Sequence, residues 1–319
     1  MYSKDGELAQ YEYLFGPVHS RRLGISLGID LVRQKICTLN CIYCECGSTK
    51  KLTLERKEYV PGDKIIGELD SYLGRSPSLD YVTFAGNGEP TLNTAIGRIV
   101  RHVKEHFPQY KTALLTNGTL FYLPEVREDV MPFDLVKPSI DAVSSRRFFD
   151  INHPHNKLNT DLIIEGLSEF TTKYKGPVWL EVFIVPDVND TPEELLLLKK
   201  AIKRISPTRV QINTLDRPGT VDWIRPAGFD RLVEIARFLL PYPVEIITRE
   251  STKLFNFEPS PQEMEKIRAL LKKGPMSAEQ IASSLYRIIN ETVPALTSLV
   301  SSGLVVKREK HNRIIYHLA

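Results

Sequence analysis

The sequence predicts an α/β protein built around a parallel sheet, followed by a small domain of helices and a β-hairpin. From about residue 79 to 247, short β-branched runs alternate with longer stretches of helical period, which is typical of successive βα units. The composition changes near residue 257, and the last sixty or so residues read as three helices and two strands. We therefore expect one domain over residues 1–257 and a second over residues 258–319.

Seven strands are expected where β-branched runs are bounded by turn residues: Ile25–Asp30, Tyr81–Ala85, Lys111–Thr116, Leu135–Ser139, Val178–Val185, Arg209–Thr214 and Val244–Ile247. Between them, residues 93–107 carry apolar side chains on one helix face. Thr191, Pro192 and Glu194 predict an N-cap, an N1 proline and a capping box for the next helix. The alternation fits a full or partial (β/α) barrel or a doubly wound sheet, with the site after the carboxyl ends of the strands.

The C-terminal segment begins with Glu258-Pro259-Ser260-Pro261, which reads as a linker. A helix, a short helix capped by Ser277 and Gln280, a third helix over 290–301 and a hairpin follow, in the order of a winged-helix domain. Residues 259–319 hold nine Lys or Arg against five Glu, an excess of four positive charges. The basic hairpin suits phosphate contact, whereas the third helix has no Lys or Arg with which to read DNA.

Composition narrows the class of protein. The 319-residue chain is 42% hydrophobic and 25% charged, so disordered and low-complexity classes are excluded. Its formal charge of +3 is too small to indicate nucleic acid by itself. No charged-then-apolar leader opens the chain, and no apolar stretch approaches about 18 residues, so we expect a cytoplasmic protein without membrane contact.

All four cysteines, Cys37, Cys41, Cys44 and Cys46, lie within ten residues. Thiols this close cannot crosslink distant parts of the fold, which excludes a secreted disulfide framework. Their position directly after the first predicted strand indicates a metal site. Three thiolates with the spacing Cys-x3-Cys-x2-Cys fit a [4Fe–4S] cluster with one open iron. Structural zinc with Cys46 as fourth ligand, and a redox thiol pair, are the alternatives.

The Cys37-x3-Cys41-x2-Cys44 spacing, with the aromatic Tyr43 before the third cysteine, resembles the signature of the radical SAM superfamily. The resemblance implies that these three cysteines hold a [4Fe–4S] cluster in a loop at residues 33–50. It implies that the open iron binds S-adenosylmethionine (SAM) through its amino and carboxylate groups, with Tyr43 beside it. Cys46 is then a spare thiol, a ligand of another species or a small buried hydrophobe.

Gly86-Asn87-Gly88-Glu89-Pro90, after the second predicted strand, resembles the family's Gly-Gly-Glu-Pro motif, with Asn87 in place of a glycine. The motif implies that backbone carbonyls and Glu89 hold the SAM amino group. Asparagine tolerates the left-handed region better than most residues, so the exchange is compatible with a turn. The resemblance also implies that Asn117, Ser139 and Asp141, at the ends of the next two strands, line SAM. Ser139 and Asp141 are the residues expected near its ribose.

The resemblance implies a partial (β/α)6 radical SAM barrel and an oxygen-sensitive enzyme. In such an enzyme, a flavodoxin- or ferredoxin-like partner supplies one electron, SAM is cleaved, and a 5′-deoxyadenosyl radical removes hydrogen from the substrate. Three stretches, 84–92, 137–141 and 213–218, resemble iron–sulfur oxidoreductases related to wybutosine-type tRNA-modification enzymes. RNA or DNA, or a protein or peptide, is the expected partner of the winged helix. The alternative is an iron–sulfur sensor coupled to a DNA-binding winged helix, with chemistry lost.

Substrate contacts are expected from loops after the later strands. Arg217 and Arg225 near Trp223 could clamp a carboxylate or phosphate beside a stacking surface. His153 and His155 flank a proline after the fourth predicted strand, Leu135–Ser139. For all five residues, loop packing or a loop salt bridge stays open as the structural alternative.

Overall fold

The computed structural model describes residues 8, 10–20, 22–248, 259–310 and 313–319. The first ten strands are β1 (Leu14–Ser20), β2 (Gly24–Asp30), β3 (Ile36–Cys37), β4 (Lys51–Leu52), β5 (Tyr81–Ala85), β6 (Lys111–Leu115), β7 (Leu135–Lys137), β8 (Trp179–Phe183), β9 (Arg209–Asn213) and β10 (Val244–Ile247). The helices among them are α1 (Gly62–Leu73), α2 (Ile96–His106), α3 (Pro124–Val130), α4 (Ser145–Asn152), α5 (Thr160–Lys173), α6 (Pro192–Ile205) and α7 (Phe229–Phe238).

The main sheet follows the chain order of its strands. Hydrogen bonding gives the orders β1-β2-β5-β6-β7 and β10-β9-β8, and parallel bridges at Val136–Val178 and Ser139–Glu181 join β7 to β8. Every pair from β2 to β10 is parallel, and β1 is antiparallel to β2. A doubly wound sheet reverses its strand order at a switch point, and this sheet does not. That alternative is therefore wrong, and the fold is α/β with a mixed main sheet.

The seven predicted strands are all present, and each of their ends lies within two residues of the predicted one. Strand β1 was not expected, because Gly16-Pro17 interrupts any period-2 pattern.

Of the two hydrogen bonds in the capping box predicted for α6, the one donated to Thr191 is present and the one accepted by Glu194 is not. Thr191 does accept a hydrogen bond from the Glu194 amide, but the Glu194 carboxylate accepts from the amides of Val143 and Ser144. It thereby joins α6 to the loop before α4.

The C-terminal elements are α8 (Pro261–Leu271), β11 (Met276–Ser277), α9 (Ala278–Ser284), α10 (Ile289–Ser301), β12 (Val305–Lys310) and β13 (Arg313–Leu318). They enclose a second apolar cluster that includes Ile281 and Leu296. The predicted capping box of Ser277 and Gln280 is confirmed. The predicted boundary at 257/258, the start of the linker and hairpin residues 311–312 lie outside the described residues.

The C-terminal elements pack against the main sheet. The Asn290 side chain, at the start of α10, accepts from the Ile246 amide at 2.7 Å and donates to the Ile246 carbonyl at 3.0 Å. Arg209, the first residue of β9, pairs with Glu279 of α9. These contacts lie on β10 and at the amino ends of the parallel strands. The cysteine loop comes after the carboxyl end of β2, whereas Arg209 begins β9 at the amino end of that strand.

Within the described ranges, no helix has the length and apolar character required to cross a membrane.

Candidate functional site

The four cysteines lie in a loop that begins at β3 and is closed at its base by β4. Ile36 pairs with Lys51 and Cys37 with Leu52. The Thr49 amide donates to the side chain of Asn40 at 2.7 Å, which holds the loop together internally. All four cysteines are free thiols, Cys37 being buried and the others partly buried.

Each thiol of the Cys-x3-Cys-x2-Cys set accepts a hydrogen bond from a different part of the fold. Lys35 Nζ donates to Cys44 Sγ at 2.8 Å. Asn117 Nδ2 donates to Cys37 Sγ at 3.4 Å, and Asn152 Nδ2 donates to Cys41 Sγ at 3.3 Å. Lys35 precedes β3, whereas Asn117 follows β6 and Asn152 ends α4. Hydrogen bonds to sulfur stabilise its anionic form, so three separate elements support a set of thiolates.

The thiols differ in acidity. Burial raises the pKa of Cys37 to about 11 and raises that of Cys41 further. The pKa of Cys44 is lowered, first by a hydrogen bond from the Cys46 thiol and then by the nearby Lys35 ammonium. The same hydrogen bond raises the pKa of Cys46, which therefore keeps its proton. Cys46 also lies 3.9 Å from the Gly86 carbonyl oxygen, so it contacts the segment where SAM is predicted to bind.

The three hydrogen-bonded thiols are the predicted ligands of the cluster. Among the described residues, no three His, Cys, Asp or Glu side chains converge on one point where a metal ion could be held. A [4Fe–4S] cluster binds each thiolate to a different iron. Three thiols in this spacing, each with its own hydrogen-bond donor, are compatible with that group. The zinc and thiol-pair alternatives stay predictions.

The Gly86–Pro90 segment packs directly on the cysteine loop. A Cβ atom on Gly88 would lie 1.9 Å from the Ile36 carbonyl oxygen, so only glycine allows this approach. Gly86 has φ +117°, a region that other residues rarely adopt. The Asn87 side chain donates to Asp30 at 2.6 Å, across the carboxyl ends of β2 and β5. The segment is therefore held rigidly beside the cysteines.

Glu89 makes its contacts within the protein. Its carboxylate is buried and accepts hydrogen bonds from the amide and hydroxyl of Thr91, the hydroxyl of Thr116 and the amide of Asn117. Burial raises its pKa, and these four donors oppose the shift. The carboxylate thus joins the loop after β5 to the loop after β6. Contact of Glu89 with a bound amino group stays a prediction.

Asp141 is a second buried carboxylate that connects the elements of the site. It accepts from the Tyr43 hydroxyl at 2.5 Å, from Asn152 Nδ2 at 2.7 Å and from the Phe183 amide at 3.0 Å. Burial raises its pKa to about 6. The ring of Tyr43 stacks on Phe183 with centroids 3.8 Å apart. The aromatic residue of the cysteine loop is therefore fixed against β8, and ribose contact by Asp141 stays a prediction.

A cavity of about 20 Å³ lies between the cysteine loop and the ends of β6 and β7. Ser139, Asn117 and Asn152 contribute polar groups to its wall. The Asn152 Oδ1 atom is buried and accepts no hydrogen bond from any described residue. A buried acceptor without a donor costs free energy. A bound hydroxyl or ammonium group would satisfy this acceptor.

Two later loops hold the cysteine loop through their backbones. The amides of Asn40 and Ile42 donate to carbonyls at residues 151–153, and the His155 amide donates to the Thr38 carbonyl at 3.0 Å. On the other side, the Thr220 amide donates to the Ile42 carbonyl at 2.9 Å. These contacts were not foreseeable from the sequence, because the partners lie more than a hundred residues apart.

The five predicted substrate residues do not form one cluster of contacts. The His153 ring stacks on Phe149, and His155 Nδ1 accepts from the Lys157 amide. Arg217 is 64% exposed and pairs with Glu45 of the cysteine loop at 3.4 Å. Trp223 and Arg225 are exposed. The observed contacts are those of the structural alternative, and substrate contact by these residues stays a prediction.

Comparisons with known proteins agree with the geometry. A family model described as the radical SAM superfamily matches residues 31–199. The UPF0026 protein MJ1312 of Methanocaldococcus jannaschii is 31% identical over 95% of this chain and 94% of its own length. A UPF0026 protein of Helicobacter pylori strain J99 is 33% identical over 84% of this chain and 86% of that protein. A GTPase Obg of Brachyspira hyodysenteriae is 42% identical over 64% of this chain, which spans only 30% of that protein.

Two solved structures are similar in fold. A radical SAM methyltransferase from Sphaerobacter thermophilus has a TM-score of 0.56 and 15% identity, over 73% of this chain and 68% of that one. TYW1 with a lysine–pyruvate adduct bound has a TM-score of 0.50 and 18% identity, over 67% of this chain and 72% of that one. At these identities the likeness concerns the fold alone.

Proposed function

The chain belongs to the radical SAM superfamily and to the same family as the UPF0026 proteins, and we propose that Cys37, Cys41 and Cys44 hold its [4Fe–4S] cluster, with SAM bound beside them. When bound, these groups supply one-electron cleavage of SAM and abstraction of a hydrogen atom from the substrate. The fold around them is proposed to be a partial (β/α)6 barrel. Free thiols and an oxygen-sensitive site favour a reducing, cytoplasmic compartment with a flavodoxin- or ferredoxin-like electron donor.

One observation carries the proposal. Three donors, Lys35, Asn117 and Asn152, each contact a different one of the three thiols in the superfamily spacing, and Cys46 receives none of them. This arrangement fixes the direction of each Sγ atom before a ligand binds. It supports Cys37, Cys41 and Cys44 as the ligands and Cys46 as a neighbour.

SAM is proposed to lie over Gly86–Pro90 and to reach the cavity lined by Ser139. The glycines allow its amino group to approach the backbone. Asn152 Oδ1 is an acceptor for one of its hydroxyl or ammonium hydrogens. The stacked Tyr43 and Phe183 rings exclude water from one side of the site. Glu89 and Asp141 position these parts through the hydrogen bonds they accept.

The test is anaerobic reconstitution with iron and sulfide, followed by iron analysis and electron paramagnetic resonance (EPR) of the reduced protein with and without SAM. Wild type should bind about four iron atoms per chain, and SAM should change its EPR spectrum. Cys41→Ala should lose the cluster, while Cys46→Ala should retain it as the matched control. A cluster that survives Cys41→Ala, or one that never responds to SAM, would overturn the proposal.

The C-terminal domain, read as a winged helix, is proposed to bind RNA through its hairpin. Asn290, at the start of the third helix, is bonded to β10, so this end of the helix faces the sheet, and the helix carries no Lys or Arg. The exposed cations of the hairpin are on β12: Lys307, Arg308 and Lys310. A fluorescent tRNA titrated at two salt concentrations should bind more weakly at high salt. Salt-insensitive or absent binding would favour a protein or peptide instead, and duplex DNA binding without SAM chemistry would favour the sensor.

A further inference from the structure

The side chain of Asn152, the last residue of α4, lies between a proposed cluster ligand and a buried carboxylate. Its Nδ2 atom donates to Cys41 Sγ at 3.3 Å and to Asp141 Oδ2 at 2.7 Å. An amide nitrogen carries two hydrogens, so these two acceptors use both of them. Because both partners accept, the orientation of the amide is fixed and its Oδ1 atom points away from them.

The Oδ1 atom of Asn152 is the third polar group of this side chain. It is buried and accepts no hydrogen bond from any described residue, and the residue as a whole is 2% exposed. Asn152 lines the cavity of about 20 Å³, together with Ser139. A space of this size holds one group as large as a water molecule. A hydroxyl or ammonium group of a bound molecule would therefore both fit the space and satisfy the acceptor.

Asn117 shows by comparison what is particular to Asn152. Its Nδ2 atom also donates to a proposed cluster ligand, Cys37 Sγ, at 3.4 Å. Its second acceptor is the Thr38 hydroxyl at 2.8 Å, and its Oδ1 atom accepts from the amide and hydroxyl of Thr119 at 3.1 and 2.8 Å. The polar atoms of Asn117 thus have partners inside the protein, whereas Asn152 keeps one acceptor for a ligand.

The two ends of an amide group influence each other. A hydrogen bond accepted by the oxygen polarises the group and strengthens the hydrogen bonds that its nitrogen donates. Hydrogen bonds to the sulfur ligands of an iron–sulfur cluster stabilise its reduced form, which is the more negative one. The coupling is reciprocal, so a more negative sulfur makes the amide oxygen a better acceptor.

We infer that Asn152 couples the binding of SAM to the reduction of the cluster. A hydrogen of SAM at Oδ1 strengthens the contact of Nδ2 with Cys41, so bound SAM favours electron uptake and electron uptake tightens SAM binding. The electron comes from the one-electron donor, which is oxidised as the cluster is reduced. Asn152 is a positioning residue in this account, and Asp141 holds its amide in place. The inference rests on the proposed function, since it concerns the regulation of that same site.

The test is an EPR-monitored redox titration of the reconstituted full-length protein with and without SAM, combined with calorimetric titration of SAM. Asn152→Leu keeps the approximate volume of the side chain and removes both hydrogen bonds and the acceptor. Without SAM, its cluster should be about tenfold harder to reduce, which is about 59 mV for one electron. Its SAM affinity should fall about tenfold or more. Adding SAM should shift the reduction equilibrium several-fold further toward the reduced form in wild type than in the variant.

Asn290→Ala is the matched control. It also removes an asparagine side chain that makes two hydrogen bonds, but its partner is Ile246 of β10. This variant should keep the wild-type midpoint potential and SAM affinity. Asn152→Ala adds no bulk and repeats both measurements if the leucine variant does not fold.

The SAM-induced shift separates coupling from a structural role, because a purely structural asparagine would lower stability without changing it. A folded Asn152 variant with the wild-type midpoint potential, the wild-type SAM affinity or the wild-type SAM-induced shift would overturn the inference while leaving the proposed function intact. A wild-type protein without a cluster, or with an EPR spectrum that does not respond to SAM, would overturn the proposed function and the inference with it. The two failures are therefore distinguishable.

Discussion

The Nζ atom of Lys35 lies 2.8 Å from the Sγ atom of Cys44. Within the described residues, Cys44 is the only hydrogen-bond partner of this ammonium group. A positive charge beside a cluster ligand favours the more negative, reduced form of the cluster. Lys35 is therefore expected to act as a positioning residue that makes the cluster easier to reduce.

Lys35→Met should make reduction of the cluster less favourable by on the order of 1 kcal/mol. For one electron this lowers the midpoint potential by tens of millivolts. An EPR-monitored redox titration measures the shift. Lys35→Arg keeps the charge and should remain close to wild type. Equal potentials in the Met variant and wild type would contradict a role for this charge.

Gly88→Ala should displace the Gly86–Pro90 segment, because the added Cβ would lie 1.9 Å from the Ile36 carbonyl oxygen. We expect a loss of about 1–3 kcal/mol of folding free energy, measured by urea unfolding, and weaker retention of iron. Gly67→Ala is the control. No heavy atom lies within 4 Å of a Cβ at this exposed helical position, so it should be neutral or slightly stabilising. Similar losses in both variants would show that the close approach to Ile36 is unimportant.

Ionisation of the buried Asp141 carboxyl group should lower the free energy of unfolding as pH rises from about 4 to 6. Its pKa is raised by burial to about 6, so the folded chain holds a proton that the unfolded chain has released in this range. The stability of wild type relative to Asp141→Asn should fall by about 2–3 kcal/mol across the window and stay level above it. Urea unfolding of both proteins from pH 4 to 7.5 measures the difference. A pH-independent difference would mean that Asp141 does not titrate there.

Asn290→Ala should release the C-terminal domain from the edge of β10. The substitution removes both hydrogen bonds to Ile246, worth about 1–3 kcal/mol together. Hydrogen exchange of the segment 244–247 should then accelerate about tenfold or more. Thr297→Ala, at an exposed position of the same helix, should leave exchange at wild-type rates. Unchanged exchange in Asn290→Ala would show that other contacts fix the domain.

Local patterns in the sequence account for much of the fold. Strands such as β5 and β10 were predicted with their observed ends, because β-branched runs and turn residues bound them. Strand β1 was missed, since it pairs with β2 through a register shift between Phe15 and Val18 that leaves no alternation to read. Glu194 was assigned to a local cap, but its carboxylate bonds to amides about fifty residues away. Local signals cannot show such partners.

The candidate site divides in the same way. The three cysteines and Gly86–Pro90 have a spacing that carries information by itself. Asn152 and Lys35 belong to no motif with an informative spacing. Their contacts with sulfur depend on how α4 and the start of β3 are placed. Lys137 of β7 and Glu181 of β8 form an ion pair although they lie more than forty positions apart. Only the folded sheet brings them together.

The most direct measurement of the central claim is formation of 5′-deoxyadenosine by the reconstituted protein in the presence of dithionite and SAM. We expect wild type and Cys46→Ala to produce it and Cys41→Ala to produce none. Absence of 5′-deoxyadenosine from wild type with a spectroscopically intact cluster would contradict the assignment of this chain as a working radical SAM enzyme.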